Sequence, residues 1–399
     1  MPDGSPLYIP YTLPGELVTA RMIARRGNGW AAVVEEIAAP AESRVQPPCP
    51  HFGACGGCQL QHWDDAAYVA WKTELLRSAL VRAGYADPVL EPMARTQPGQ
   101  RRRMNLALRR TRRGVAVGLH GARSAEVVDL AACHVLHPRL FGLVAPLREM
   151  LGGLGALRRE GSAVVNLLGS GPDLLLRTDA KPDPADRLRL AGFARALGLP
   201  RLHWALGEGV PEPICLLQPA IVHFAGVAVT PPPGGFLQAS EAGERAIVAA
   251  LVEAIPAGGR VAELYAGCGT LTFPLAQQAR VWACEGDALA LPALREAAKT
   301  MPGRVTAEQR DLARRPVTAP ELRGFAAVVL DPPHAGAAAQ VSHIAASGVG
   351  SVIYVSCNPA ALARDARMLH GGGYRLVSAR PVDQFLWSAR LESVCVFAR

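Results

Sequence analysis

Residues 260–273 read RVAELYAGCGTLTF, and this stretch decides the class of fold. An apolar run ends in Gly267-Cys268-Gly269, and glycines after a strand let the backbone turn tightly and approach a ligand. Three further apolar runs alternate with helical stretches downstream: VWACEGD at 281–287, FAAVVLDPP at 325–333 and SVIYVSCNP at 351–359. Strands buried on both faces have this composition, so the pattern predicts an α/β fold with a mostly parallel, doubly wound sheet.

The ends of these runs carry residues suited to chemistry. In a doubly wound sheet, ligands bind past the carboxyl ends of the strands. Gly267 and Gly269 follow the first run, and Glu285 ends the second, where a carboxylate can accept hydrogen bonds from a ribose diol. This arrangement departs from GxGxxG and from the phosphate-binding GxxxxGK[ST] loop. It favours an adenosine-type cofactor over a purely structural turn, and Asp331 above the same edge favours a substrate contact.

Cys357 follows the last of these strands and precedes a helix that opens with Pro359. A thiolate near a helix N-terminus is stabilised, which activates it as a nucleophile. Cysteine is also commonly buried and inert. The residues by themselves therefore leave a catalytic and a structural role equally open.

A second group of cysteines lies near the N-terminus. Cys49, Cys55 and Cys58 are separated by five and two residues among prolines and glycines, and Cys133 lies far downstream. In a cytoplasmic protein such a cluster indicates a metal site rather than disulfides. Zinc and an iron–sulfur cluster are both candidates.

Composition sets the remaining limits. A chain of 399 residues predicts two or three domains, and 50% hydrophobic with 19% charged residues is typical of a globular protein. No apolar run reaches the roughly 18 residues of a membrane span, and the first residues lack a secretory pattern, so we expect a cytoplasmic protein without membrane contact. The net charge of +8 suits a polyanion, although abundant arginine is equally consistent with coding bias. Seven arginines crowd into the segment 101–113, which favours nucleic acid.

The pattern divides the chain into four parts. Residues 1–46 alternate apolar and polar side chains as short antiparallel strands do, and residues 47–89 contain the cysteine segment and a helix from Asp64 to about Arg82. Residues 90–235 mix strand-like pieces with turns, and residues 236–399 carry the doubly wound pattern.

Taken together, the motifs resemble the RNA 5-methyluridine methyltransferases, in particular the iron–sulfur branch that modifies uridines of 23S ribosomal RNA. The resemblance covers nearly the whole chain. It rests on LPGE at 13–16, CPHFGACGGCQLQHW at 49–63, GGFLQAS at 234–240, ELYAGCGTLTFPLA at 263–276, DPPHAG at 331–336, SCNPAALARD at 356–365 and DQFLWSARLESV at 383–394.

The resemblance implies a class I (Rossmann-like) S-adenosylmethionine methyltransferase domain with a seven-stranded sheet at 236–399. A central RNA-binding α/β domain at 90–235 and a partial OB-like (TRAM) module at 1–46 would accompany it. It further implies the following roles: Cys357 as the nucleophile and Glu392 as the base; Gln238, Tyr265, Gly267, Gly269, Glu285 and Asp331 around cofactor and base; Cys49, Cys55, Cys58 and Cys133 as ligands of a [4Fe–4S] cluster. The resemblance also implies that the protein binds RNA, with 23S ribosomal RNA as the first candidate. It further implies that the protein is a monomer.

The chain departs from the family pattern at three positions. Ser240 lies two places after the pocket glutamine, where an asparagine usually follows directly; His334 replaces an arginine after the double proline; and Arg390 replaces a histidine two before the final glutamate. The asparagine-rich helix usual after the second strand is missing at 291–300.

The sequence also has to be weighed against functions other than uracil-C5 methylation. Amine methyltransferases need no nucleophilic cysteine, and cytosine C5 enzymes match DPPHAG and the C-terminal motif less well. An iron–sulfur electron carrier would need neither the glycine loop nor Cys357. A tRNA uracil-5-methyltransferase and a catalytically silent iron–sulfur RNA-binding protein are the alternatives.

Overall fold

The computed structural model describes residues 3–399. Its N-terminal strands form a three-stranded sheet in the order β1-β3-β2, from β1 (Leu7–Tyr8), β2 (Leu17–Arg26) and β3 (Gly29–Ala39). The alternating pattern thus forms one long antiparallel hairpin, β2–β3, whose turn contains Gly27 with a positive φ of 58°.

Helix α1 (Asp65–Arg82) follows the cysteine segment. Asp64 caps it, because its carboxylate accepts hydrogen bonds from the backbone N–H groups of Ala66 and Ala67. The predicted start and end of this helix are confirmed.

The middle of the chain forms a seven-stranded sheet, here named the central sheet, in the order β11-β10-β9-β8-β5-β6-β7. Neighbouring strands in this sheet are antiparallel, except that β9 and β10 are parallel and are connected by helix α4. Helices α3 and α4 cover one face and enclose an apolar core with Leu106, Leu176 and Trp204. The elements of this region are β4 (Ala94–Arg95), β5 (Arg103–Thr111), β6 (Gly114–His120), β7 (Val127–Asp129), α2 (Pro138–Phe141), α3 (Val144–Gly152), β8 (Glu160–Leu168), β9 (Gly171–Thr178), α4 (Pro184–Ala196), β10 (Arg201–Leu206), β11 (Glu212–Leu216), β12 (Val222–Phe224) and β13 (Val227–Val229).

The last part of the chain forms the C-terminal sheet, in the order β16-β15-β14-β17-β18-β20-β19-β4. Strands β14 to β18 are parallel and β20 runs antiparallel to both of its neighbours. Its elements are α5 (Glu241–Ala254), β14 (Arg260–Leu264), α6 (Thr272–Ala276), β15 (Arg280–Glu285), α7 (Ala290–Ala298), β16 (Val305–Gln309), β17 (Ala327–Leu330), α8 (Ala338–Ser347), β18 (Ser351–Ser356), α9 (Pro359–Gly371), β19 (Arg375–Asp383) and β20 (Glu392–Ala398).

The predicted count of seven strands needs one correction. Residues 236–399 do supply seven strands, but β4 adds an eighth by pairing with Val382 and Asp383 of β19. A two-residue strand shows no periodicity, so the sequence gives no sign of it. Helix α1 also packs against α9 of this sheet, and its Leu76 and Leu80 belong to the core there.

Strand order reverses between β14 and β17, because β15 and β16 lie on one side of β14 while β17 and β18 lie on the other. Two apolar cores sandwich this sheet, one on each face. A crevice forms at such a switch point past the carboxyl ends of the strands. Residues 265–269 and Asp331 therefore meet there. Within residues 3–399, the helices are all too short or too polar to cross a membrane.

Candidate active site

A cavity of about 200 Å³ lies at the switch point. Five of the six residues predicted to surround cofactor and base line it: Gln238, Tyr265, Gly267, Glu285 and Asp331. Gly269 is not part of the lining. Its φ is 102°, and a Cβ there would stand 2.4 Å from the Phe273 ring. Gly269 therefore packs closely against Phe273, and its place at the cofactor stays a prediction.

Glu285 shapes the loop that follows β14. Its carboxylate accepts hydrogen bonds of 2.6 Å from the backbone N–H groups of Gly267 and Asp287. Tyr265 and Gly267 both adopt left-handed backbone conformations, with φ of 67° and 59°. For a tyrosine this conformation is strained, and such strain is common at ligand sites. The carboxylate thus holds a strained turn open beside the cavity.

A chain of amide groups joins the two carboxyl groups of the site. Gln238 Nε2 donates to Asp331 Oδ2 at 3.2 Å, and Gln384 Nε2 donates to both Gln238 Oε1 at 2.7 Å and Glu392 Oε2 at 2.8 Å. The Gln384 carbonyl oxygen accepts from the backbone of Ala239 at 3.0 Å. These bonds fix which way each amide points. Gln384 belongs to the DQF motif, but sequence reasoning did not single it out.

Strand register brings Cys357 and Glu392 together. The β18–β20 ladder ends with Ser356 of β18 opposite Ser393 of β20, so Cys357 and Glu392 both lie just beyond its last pair, at the same edge of the sheet. The Glu392 charge acts directly on the Cys357 thiol. Two residues 35 positions apart in the chain are therefore neighbours at the sheet edge.

The carboxyl group of Glu392 is buried, and its Oε1 has no hydrogen-bond partner among the described residues. Burial raises the pKa of Glu392, and the nearby Asp331 carboxylate raises it further, while the Gln384 amide opposes the shift. Burial likewise raises the pKa of Asp331, and the Gln238 amide opposes it. A carboxyl with a raised pKa and a free oxygen is suited to general-base work near neutral pH.

The Cys357 thiol is half-buried in this negative surrounding. Burial raises its pKa to about 11, the charges of Glu392 and Asp331 add to the effect, and Arg390 opposes it. Its Sγ lies 3.6 Å from His334 Nδ1. Of the other two departures from the family pattern, Ser240 is the N-cap of α5, where its hydroxyl accepts from the Gly243 backbone at 3.0 Å, and Arg390 is exposed.

Glu263, in the middle of the quoted loop motif, was not predicted as a site residue. It is fully buried, and neither of its carboxylate oxygens has a hydrogen-bond partner within residues 3–399. Burial raises its pKa to about 8. The sequence did contain a signal for Glu263, because a charged residue near the end of an otherwise apolar strand is unusual.

The four remaining predicted residues converge elsewhere. Cys49, Cys55, Cys58 and Cys133 line one cavity of about 380 Å³, although they come from the segment before α1 and from the stretch after β7. Within residues 3–399 no set of three or more such side chains is close enough to grip a single metal ion. The described residues therefore bring the four cysteines to one cavity but do not identify a metal there.

The chain is similar to known RNA methyltransferases over its whole length. A family model described as tRNA (uracil-5-)-methyltransferase matches residues 235–399. An RNA methyltransferase of Caulobacter vibrioides is 41% identical over 100% of this chain and 95% of its own. The 23S rRNA (uracil(1939)-C(5))-methyltransferase of Halomonas elongata is 37% identical over 98% of this chain and 84% of its own.

Among solved structures, the fold matches that of the tRNA (uracil-54, C5)-methyltransferase of Pyrococcus abyssi in complex with S-adenosyl-L-homocysteine. The TM-score is 0.73 at 20% identity, with 98% of this chain and 95% of that chain covered. This likeness shows the class I methyltransferase fold. With sequence relatives that span the whole chain, it establishes that the protein belongs to the S-adenosylmethionine-dependent RNA (uracil-5-)-methyltransferase family.

Proposed function

We propose that this enzyme methylates C5 of a uridine in 23S ribosomal RNA through a covalent adduct between Cys357 and C6 of the uracil ring. The observation that carries the proposal is the closeness of the Cys357 thiol to the buried carboxyl of Glu392, at the carboxyl end of β18 and beside Asp331. Support for the RNA comes from the 37% identical relative named for 23S rRNA.

The chemistry explains why both groups are needed. Uracil C5 is a poor nucleophile towards a sulfonium methyl group. Addition of the Cys357 thiolate to C6 turns the ring into an enolate and makes C5 nucleophilic, which replaces one hard step by two easier ones. Asp331 holds the N3–O4 edge of the base. After methyl transfer, Glu392 removes the C5 proton, and the C6–S bond then breaks to release 5-methyluridine.

The uridine has to leave its stack to reach the thiol. A stacked base cannot present C6 to a cysteine, so the nucleotide is flipped out. Gln238 is buried between Asp331 and Gln384, where it supports the base-holding carboxylate. The switch-point cavity would hold S-adenosylmethionine, and Glu285 in its wall would accept hydrogen bonds from the ribose.

Cys49, Cys55, Cys58 and Cys133 hold a [4Fe–4S] cluster in the proposed enzyme. A cluster there acts as a structural or RNA-positioning element, because methyl transfer moves no net electrons. Anaerobically purified protein should be brown and contain about four irons per chain. Colourless protein with a single zinc would refute the assignment.

Covalent trapping tests the catalytic part. RNA with 5-fluorouridine at the target should form a denaturation-resistant adduct with the wild type, because fluorine cannot leave as a proton does. Cys357→Ala should form none and still bind cofactor. Glu392→Gln should accumulate an adduct with methylated natural RNA, because addition and methyl transfer proceed while proton removal stops. Normal turnover by Glu392→Gln would exclude Glu392 as the base.

The target RNA is tested separately. Mapping of 5-methyluridine in total RNA from cells with and without the gene should show one 23S position that disappears. Loss of a tRNA position instead would identify the alternative substrate and leave the chemistry intact.

A further inference from the structure

His334 is held in place next to the Cys357 sulfur by the loop that follows β17. Its Nδ1 lies 3.6 Å from Sγ, and its backbone carbonyl accepts a hydrogen bond of 2.8 Å from Asn358 Nδ2. The Asn358 side chain also caps α9 by accepting from the Ala360 backbone at 3.0 Å. One asparagine therefore ties the histidine loop to the helix that begins beside the nucleophile.

The loop itself is stiff. Pro332 and Pro333 restrict the backbone just before the histidine. Gly336 donates to the Pro333 carbonyl at 2.8 Å, and Arg364 donates to the Ala335 carbonyl at 2.9 Å. Bonds on both sides of His334 thus fix the backbone that carries its ring.

The charged and titratable groups around Cys357 leave the thiol in need of a proton acceptor. Glu392 and Asp331 face it from β20 and the end of β17, and both disfavour a thiolate. Arg390 favours the thiolate through its charge, but a guanidinium has no acceptor site for a proton. Glu392 is reserved for the C5 proton. The imidazole is the remaining group in contact with sulfur in the described part of the chain.

We propose that His334 Nδ1 accepts the Cys357 proton as the sulfur attacks C6. The inference rests on the covalent mechanism proposed above. The S–H bond breaks, an N–H bond forms on the imidazole, and the sulfur electron pair forms the S–C6 bond while the C5=C6 π electrons move towards O4. When the adduct collapses, the thiolate takes its proton back from the imidazolium. The C5 proton leaves separately through Glu392, so His334 ends each turnover as it began.

The position of His334 suits this role. His334 is exposed, and a neutral imidazole has one ring nitrogen that accepts a hydrogen bond or a proton. A thiol–imidazole pair is a general way to activate cysteine.

Alkylation of Cys357 by iodoacetamide tests the inference without RNA or methyl transfer. The cluster-containing protein is labelled across a pH series, and the Cys357 peptide is quantified by mass spectrometry, with Cys357→Ser to identify it. At pH 7, His334→Ala should react about 100-fold more slowly than wild type, the low end of a general-base effect. His334→Asn should be equally slow, because it keeps a polar contact but accepts no proton. His343→Ala on α8 is the matched control and should react as the wild type does.

Added imidazole gives the second readout, since the His334 position is open to solvent. Imidazole should restore alkylation of Cys357 in His334→Ala in proportion to the imidazole concentration. It should affect His334→Asn less, because the asparagine side chain fills the space that the added imidazole would occupy. Unchanged reactivity in His334→Ala, or wild-type reactivity in His334→Asn, would overturn the inference. If wild type also fails to trap 5-fluorouridine RNA, the covalent mechanism itself is wrong; if it traps normally, the histidine assignment alone fails.

Discussion

At the scale of single residues, Glu263 is the least expected group of the site. It is fully buried without hydrogen-bond partners among the described residues, and burial raises its pKa from an ordinary 4.5 to about 8. Because the folded state binds this proton more tightly than the unfolded state, its contribution to stability is complete below about pH 4.5 and is lost as pH rises through about 8.

Glu263→Gln should therefore flatten the pH dependence of stability in cofactor-free protein. We expect the variant to unfold at least about 2 °C above wild type at pH 8.5, with the difference shrinking towards pH 5. Thermal unfolding at several pH values measures this. Glu36→Gln, an exposed carboxylate of β3, is the control. A constant difference across the pH range would mean that Glu263 is not the titrating group.

Gln384 fixes the positions of the two side chains to which it donates, Gln238 and Glu392. Gln384→Leu keeps the volume but leaves Glu392 Oε2, Gln238 Oε1 and the Ala239 N–H without the partners they have now. Each loss costs about 1–3 kcal/mol, and about 1.4 kcal/mol corresponds to tenfold in rate. We expect kcat to fall about tenfold or more while the KM for RNA changes less. An effect confined to KM would place Gln384 in RNA binding instead.

At the scale of elements, helix α1 is bonded to Asp383 at the end of β19, next to Gln384 of the candidate active site. Lys72 and Asp383 form an ion pair at 2.5 Å with both side chains fully buried, and Tyr68 donates to the same carboxylate at 2.7 Å. Lys72→Met should destabilise the protein by about 3–5 kcal/mol, because it leaves a buried charge uncompensated. Urea unfolding measures the loss. The exposed pair Arg77–Glu74 on the same helix is the control, and Arg77→Met should cost less than about 1 kcal/mol.

The elements also show what a sequence can reveal. Helix α1 was predictable because Asp64 is a local cap, and the parallel strands were predictable because burial on both faces makes them apolar. The contacts of the arginines in the segment 101–113 were not predictable, since they depend on residues that are distant in the sequence. Arg102 is buried against Glu244, and Arg110 donates to the carbonyls of Leu151, Leu154 and Leu157. Those two guanidiniums stabilise the protein rather than face RNA.

The same distinction holds within the site. The sequence placed Cys357, Asp331 and the glycine loop at one sheet edge, because carboxyl ends of parallel strands must meet. It could not place Gln384 between Gln238 and Glu392, because that contact depends on side-chain packing across two elements. The close packing of Gly269 against Phe273 was not predictable for a related reason, since this contact exists only in three dimensions.

At the scale of the whole molecule, the cysteine cavity joins distant parts of the chain. Its walls include Cys133 near the central sheet and Phe385, Leu386 and Arg390 from the loop before Glu392. The cysteine segment is bonded to that loop directly, because Gln59 and Leu60 donate backbone hydrogen bonds of 2.8 and 3.0 Å to the Trp387 carbonyl. A group bound in the cavity would therefore support the loop that carries Gln384 and leads to Glu392.

Removal of the proposed iron–sulfur cluster by a chelator should then loosen two regions together. We expect faster amide hydrogen exchange in residues 49–63 and in the loop 384–391, with a lower unfolding temperature, because binding to the folded state alone adds its free energy to stability. Cys133→Ser should show both changes before treatment and little further change after it. Cys215→Ser, a buried cysteine of β11 outside the cavity, should respond to the chelator as wild type does. Faster exchange limited to residues 49–63 would show that the bound group supports its own segment but not the catalytic loop, because the Trp387 contacts would have survived its loss.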